Sequence, residues 1–294
     1  MDSIRSTIML LVALLGVAML TTSCEDPLPT DYVRELVVEG FVIADRPLTN
    51  IRIYASQPIT DTFRMKDAVI TDAEVIVLEN GTPVPVHFVV DPNGGHYEAV
   101  DTSFRVKHAS TYSLTVRAID VTATATARTM PSFNWVKTPK PAFQYPGEAG
   151  EKERFDSLDI SWESVPGVSL YIVAMDCLDT LGYGHYLEPP TSELNRRIRD
   201  SEFDEDFLIN SETARHGPVI GTSSPVVWSI FRWFGTHRIH VYAGETAFQK
   251  WFQQAGFGGR STYDYRLGNV SGALGIWAGA SEVTSPIFLI KDQP

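Results

Sequence analysis

Seven histidines and a run of carboxylates are the side chains of this sequence best suited to chemistry, and their spacing mostly argues against it. The histidines are His87, His96, His108, His185, His216, His237 and His240. Zinc sites usually show two close ligands on one element, as in His-Glu-x-x-His or paired cysteines. Neither pattern occurs, so a metal site would have to be assembled from distant loops. His87 and His96 flank a turn and could meet across a hairpin. His237 and His240 are three apart, which places them on opposite faces of an extended strand and argues against a shared ligand. No metal or other cofactor is expected.

The densest acidic stretch is Asp200-Ser-Glu-Phe-Asp-Glu-Asp206. A calcium loop needs oxygens at alternating positions, a glycine at the tight turn and a distal glutamate. Here glycine is missing and Phe203 interrupts, so the stretch reads as a solvated loop. Glycoside hydrolysis needs two carboxylates fixed across a cleft, and nothing marks such a pair. The sequence holds no Gly-x-Ser-x-Gly and no Ser-x-x-Lys. Gly256-Phe-Gly-Gly259-Arg260 follows a helical pattern instead of opening one, so it reads as a helix stop and not as a phosphate cradle. Cys177, in a strand-like run, reads as a buried thiol. No catalytic residue is identified.

Cys24 carries the clearest chemistry. A short cationic start is followed by the apolar run Ile8–Leu20 and the small residues Thr21-Thr22-Ser23. That layout is a secretory signal, too short to span a bilayer comfortably. A cysteine directly after it points to cleavage before Cys24 and lipidation of its thiol and new amino terminus. Acyl chains contribute about 0.8 kcal/mol per buried methylene, and two or more anchor a protein stably. Aromatic side chains crowd the last third, and faces of that kind build ligand platforms. Trp228, Trp233 and Trp277 are the candidate contacts for a ligand or partner, with Trp228 and Trp233 on opposite faces of an extended segment.

The elements that must position these groups are strands. Between 34 and 130, seven are expected, at 36–43, 50–56, 73–78, 84–90, 96–100, 112–119 and 121–129. Val84, Val86, Phe88 and Val90 alternate, as do Tyr112, Leu114, Val116 and Ala118, which turns one face inward. Asn80-Gly81 is a hairpin signal because both residues tolerate positive φ, and 91–95 is a second turn. A breaker-rich linker is expected over 131–156. Beyond it, Leu158, Ile160 and Trp162 alternate, Pro166-Gly167 turns, and Leu170, Ile172 and Ala174 alternate again. This opening resembles a fibronectin type III domain with Trp162 as its core tryptophan. Further strands are expected at 226–233, 238–243, 273–278 and 287–290. A short helix is expected at 193–200, and a longer one at 245–255 with Ala247, Phe248, Trp251 and Phe252 on one face.

The expected fold class is therefore mainly β. Residues 34–130 form an immunoglobulin-like or transthyretin-like sandwich, and 157–294 a fibronectin type III-like β domain with helical insertions. Residues 1–23 are the signal and 24–33 a proline-stiffened tether. The net charge of −12 argues against nucleic acid as a partner.

Several segments resemble a family of Bacteroidota outer-membrane lipoproteins known as domain of unknown function 4249. They are Leu36-Val-Val-Glu-Gly40, Thr71-Asp-Ala-Glu-Val-Ile-Val77, Tyr112-Ser-Leu-Thr-Val116, Thr129-Met130-Pro131 and Ile160-Ser-Trp162. Asn269-Val-Ser-Gly-Ala-Leu-Gly-Ile-Trp277-Ala-Gly-Ala280 is the most specific of them. Glu25-Asp26, directly after Cys24, resembles the surface-export signal of such lipoproteins. The resemblance implies an outer-membrane location, possible surface exposure and a neighbouring TonB-dependent receptor as partner, hence an accessory role in nutrient uptake. It supplies no catalytic residues. A structural or adhesive envelope protein is the alternative, and a hydrolase with a loop-assembled site ranks behind both.

Overall fold

In the computed structural model, the described residues are 32–58, 61–62, 64–144, 159–178, 183–192, 213–225, 231, 234–257 and 268–290. The chain divides into a short N-terminal unit, Met1–Arg34, and a body, Glu35–Pro294. In the body the first strands are β1 (Leu36–Ile43) and β2 (Arg52–Ala55), followed by a single-turn helix α1 (Met65–Ala68). Next come β3 (Glu74–Glu79), β4 (Thr82–Val84), β5 (Val86–Val89), β6 (His96–Ala99), β7 (Thr111–Ala118) and β8 (Val121–Arg128). Each falls on an expected strand, except that 84–90 is broken at Pro85 into β4 and β5. Proline cannot donate to a ladder, so it ends one pairing and lets the chain start another. Asn80 and Gly81 take φ of 48° and 85°, and Glu79 pairs with Thr82 across them, as the hairpin signal required.

The segment expected as linker carries two short strands, β9 (Trp135–Lys137) and β10 (Ala142–Gln144). After it come β11 (Ile160–Trp162), β12 (Leu170–Cys177), β13 (Thr213–Ile220), β14 (Ser223–Ser224) and β15 (Gly235–Gly244). Helix α2 (Thr246–Phe257) and a final strand, β16 (Leu274–Ile290), complete the order. The expected helix at 193–200 lies outside the described residues, as does all of 226–233 except Phe231.

A seven-stranded sheet organises the body, in the order β13-β12-β15-β16-β1-β2 with β10 also on β16. One face of its β1–β2 end packs against the sheet β4-β3-β7-β8 around Val38, Ile53, Val77, Tyr112, Leu114 and Trp277. The same face of its β12–β15 end packs against β14-β11-β9 around Trp162, Tyr171, Val173, Ile239 and Val241. Trp162 is thus a core tryptophan, as expected. On the opposite face, α2 lays Phe248, Trp251 and Phe252 over Ile172, Ile276 and Ala278. The mainly β, sandwich-packed fold class read from the sequence is what the structure has.

Two details differ. The expected strands at 273–278 and 287–290 are one strand of 17 residues. Its polar middle reads as a loop because hydroxyls rarely sit inside, yet Ser281 is 0% exposed and bonds the Met130 carbonyl. Single buried hydroxyls with partners are cheap to keep in a strand. Secondly, β16 pairs in parallel with β1 over 274–280 and antiparallel with β15 over 280–289. One strand therefore serves both halves.

Candidate functional site

The two halves meet where β16 leaves β1 and passes fully to β15. Strand β1 stops at Ile43, in register with Ala280. The chain then turns through Ala44, Asp45 and Arg46, with Asp45 at φ 66°. Backbone bonds hold the turn: Arg46 N donates to Ile43 O at 3.1 Å, Asp45 N to Val106 O at 2.8 Å, and Val106 N to Arg46 O at 3.0 Å. Successive side chains leave an extended chain on opposite sides. Ser281 and Glu282 therefore leave β16 on opposite faces, where Arg46 meets Glu282 and Asp45 reaches Ser281 through His108.

On the α2-bearing face, Arg46 grips Glu282 with two donors. Nε bonds Oε1, and Nη2 bonds Oε2 at 2.6 Å. The same Nη2 donates to the Tyr242 hydroxyl at 3.0 Å and lies 3.0 Å from His240 Nδ1. His240 Nδ1 is 2.9 Å from Glu282 Oε2, and its Nε2 is 2.9 Å from Asp176 Oδ2. The second approach has ion-pair distance without hydrogen-bond alignment. The His240 and Tyr242 rings stack at 5.7 Å. Four elements supply this chain of charges: the turn, β12, β15 and β16.

Electrostatics follow from the packing. Burial pushes the His240 imidazole down, but Asp176 and Glu282 outweigh it and hold it above the ordinary histidine value. Burial pushes the Glu282 carboxyl up, and the bonds from His240 and Arg46 bring it below the usual carboxylate range. Burial raises the Tyr242 phenol, so it stays a neutral acceptor. With His240 protonated, two cations face two anions.

On the other face, Asp45 Oδ2 lies 2.8 Å from His108 Nε2, and His108 Nδ1 lies 3.0 Å from Ser281 Oγ. That is the order of a carboxylate–histidine–serine relay, with burial reversed. In an acyl-transfer triad the serine faces substrate and the carboxylate is buried. Here Ser281 is wholly buried and Asp45 is 78% exposed. Ser281 also gives its proton to the Met130 carbonyl, so its oxygen accepts from His108 and is not activated by it. The arrangement fastens β16 and is not a nucleophile.

A family model for the Domain of unknown function (DUF4249) matches residues 22–260. The chain belongs to that family. The match stops short of Asn269–Ala280. Among solved structures, the I-band fragment I67-I69 from titin matches at 7% identity and TM-score 0.21, over 88% of this chain and 65% of that one. Domains A168-A170 from titin match at 9% identity and TM-score 0.20, over 88% and 66%. The DUF4249 chain therefore spans just under two thirds of the length of these fragments, and likeness at that level carries no functional argument. No curated protein gives a significant match.

The residues singled out in the sequence of this DUF4249 protein separate widely. Cys24, Trp228, Trp233 and the acidic run 200–206 lie outside the described residues. Trp277 offers no platform: it is 0% exposed, and its indole N–H donates to Tyr112 O at 2.9 Å inside the sandwich. Asn269 pairs with its backbone, Oδ1 accepting from Trp277 N at 2.9 Å and Nδ2 donating to Trp277 O at 2.7 Å. A Cβ on Gly40 would lie 2.7 Å from the Trp277 ring, and Gly275, at φ 110°, passes the Val38 carbonyl where no side chain fits. The Asn269–Ala280 segment is thus packing. His237 and His240 do point to opposite faces, one beside Phe231 and one into the ionic cluster. His87 pairs in register with Glu98 and His96 with Val89, which sets both histidines on one face of the hairpin, where their Nε2 atoms approach the two oxygens of Glu98 at 4.0 and 3.5 Å. Among the described residues, no three metal-ligating side chains form a metal-holding group. Arg46, Asp176, Tyr242 and Glu282 went unread because no local pattern links residues so far apart.

Proposed function

We propose that this DUF4249 chain is a lipid-anchored protein of the cell envelope, held at the outer membrane through Cys24. There it acts as a non-enzymatic accessory or binding component of TonB-dependent uptake. The observation that carries the reading is the signal-like run that ends at Thr21-Thr22-Ser23-Cys24. Supporting it, the polar groups brought together at the β1–β16 junction bind one another and fasten strands, and the hydroxyl of Ser281 beside His108 is buried. The acidic composition suits a body standing off an anionic membrane.

The runner-up, a structural or adhesive envelope protein, draws on β16, because a body with one strand through both halves resists bending between them. A hydrolase draws only on Asp45, His108 and Ser281, whose serine is buried. Recovery of the tagged chain from solubilised outer membrane separates the first two readings. Uptake predicts co-purification of a TonB-dependent receptor and a growth defect of the deletion strain on particular nutrients. Normal growth on every nutrient tried, with no receptor recovered, overturns it.

A further inference from the structure

We propose that His240 is a proton-operated latch: its imidazolium ties the Asp45–Arg46 turn to β12 and β16, and loss of its proton loosens the turn. The argument rests on which groups surround the ring. Glu282 of β16 meets Nδ1 at 2.9 Å and Asp176 of β12 meets Nε2 at 2.9 Å. Arg46, from the turn, places Nη2 3.0 Å from Nδ1, and Tyr242 of β15 stacks on the ring. Arg238, two residues back on β15, is exposed and stands in register with Asp176. Thr284 and Ala174 are the uncharged register partners of His240 itself, and Arg215 of β13 pairs with Ala174 one strand further out. Helix α2 brings an apolar side chain, Phe248, against Tyr242.

The imidazolium faces both carboxylates, Nδ1–H toward Glu282 and Nε2–H toward Asp176, against one close donor, Arg46 Nη2, which Glu282 holds beside the ring. A neutral ring protonated at Nδ1 leaves its unprotonated Nε2 only 2.9 Å from Asp176 Oδ2. A neutral ring protonated at Nε2 can accept from Arg46, but its Nδ1 lone pair then abuts Glu282. Either tautomer therefore sets an unprotonated nitrogen beside a carboxylate at about hydrogen-bond distance. Deprotonation also leaves the cluster of Arg46, His240, Asp176 and Glu282 with one uncompensated negative charge in a largely buried place. Arg46 holds the turn to that cluster, so strain there reaches the backbone bonds of Asp45, Arg46 and Val106. Those bonds lie at the junction where β16 changes partner, which makes the junction the pH-sensitive part of the body.

The sign is fixed by linkage. A histidine raised in the folded state contributes its full stability below its unfolded value of 6.5, and loses it as pH rises through the folded value. The test uses the full-length chain in detergent with 13Cε1-labelled histidine, titrated from about pH 5 to about pH 10 with amide exchange followed in parallel. One histidine signal should titrate above the ordinary range, vanish in His240→Gln and move to lower pH in Asp176→Asn. Protection of the Asp45, Arg46 and Val106 amides, corrected for intrinsic exchange, should fall by up to about tenfold per pH unit across that titration. Asp176→Asn, on a half-exposed side chain, keeps the test open if His240→Gln fails to fold. A His240 signal already neutral at pH about 6, or protection flat through its titration, overturns the latch.

Discussion

Two chains of charge in this protein have the same composition and different reach. Near the hairpin of β5 and β6, Arg52 bonds Asp91 at 2.9 Å, Asp91 meets His96 Nδ1 at 2.9 Å, and Glu98 lies 3.5 Å from His96 Nε2. At the junction, Arg46, Glu282, His240 and Asp176 repeat that order. The hairpin chain is mostly local, since Asp91, His96 and Glu98 fall within one turn and the strand that follows it. Asp91 also accepts from the Asn93 amide at 2.7 Å, so it shapes its own turn. The junction chain joins a turn and three strands distant in sequence. Its histidine side chain is 2% exposed, against 13% for His96. Identical residue types thus do different work, because contribution depends on burial and on how many elements a group ties together.

The comparison can be broken by mutation, beginning with the largest effect. Glu282→Ala leaves Arg46 and a buried imidazolium without their shared anion, and should cost about 3–5 kcal/mol of global stability, read from urea midpoints. Asp91→Ala should cost about 1–2 kcal/mol and be felt chiefly as faster amide exchange in β5 and β6. Equal global losses would remove the distinction between local and long-range chains.

Ser281→Ala tests the opposite face of the same strand. It takes a donor from the Met130 carbonyl and an acceptor from His108, so about 1–2 kcal/mol should be lost. If a hydrolytic activity is found with any ester probe, this substitution should leave it intact.

The pH response is the smallest effect. Glu282 and Asp91 are both held below their ordinary values, so what they contribute is present above about 4.5 and 3.8 and is lost as pH falls through the folded values. His240 acts in the other direction, losing its contribution above 6.5. Stability should therefore peak between these limits and change on either side by at most about 1.4 kcal/mol per pH unit for each group. A wild-type profile that keeps rising above pH about 7 contradicts the role given to His240.

How much of this was legible in the sequence follows from the range of each interaction. Alternation placed β7 within a residue, short apolar runs between turn signals placed β3 and β8, and Asn80-Gly81 placed a turn, because those signals are local. The face of α2 was legible from the spacing of Phe248, Trp251 and Phe252. Opposite faces for His237 and His240 followed from strand periodicity alone. The parallel pairing of β1 with β16 was not legible, since parallel strands leave no connecting turn to betray their register. The continuity of β16 was hidden by Ser281, whose burial depends on the Met130 carbonyl and the His108 ring brought from elsewhere. Trp277 read as a platform because it belongs to the aromatic crowd of the last third, and such side chains build surfaces and cores alike. What decided it was Gly40, on a strand far away.

Localisation rests on residues outside the described body, and Cys24 is where the functional reading is most exposed to test. The direct measurement is membrane fractionation with palmitate labelling of the wild-type chain beside Cys24→Ala. The lipid-anchor account predicts a labelled wild-type chain in the outer-membrane fraction and an unlabelled Cys24→Ala chain released from it. A Cys24→Ala chain that stays membrane-bound, or that still takes up label, contradicts the account.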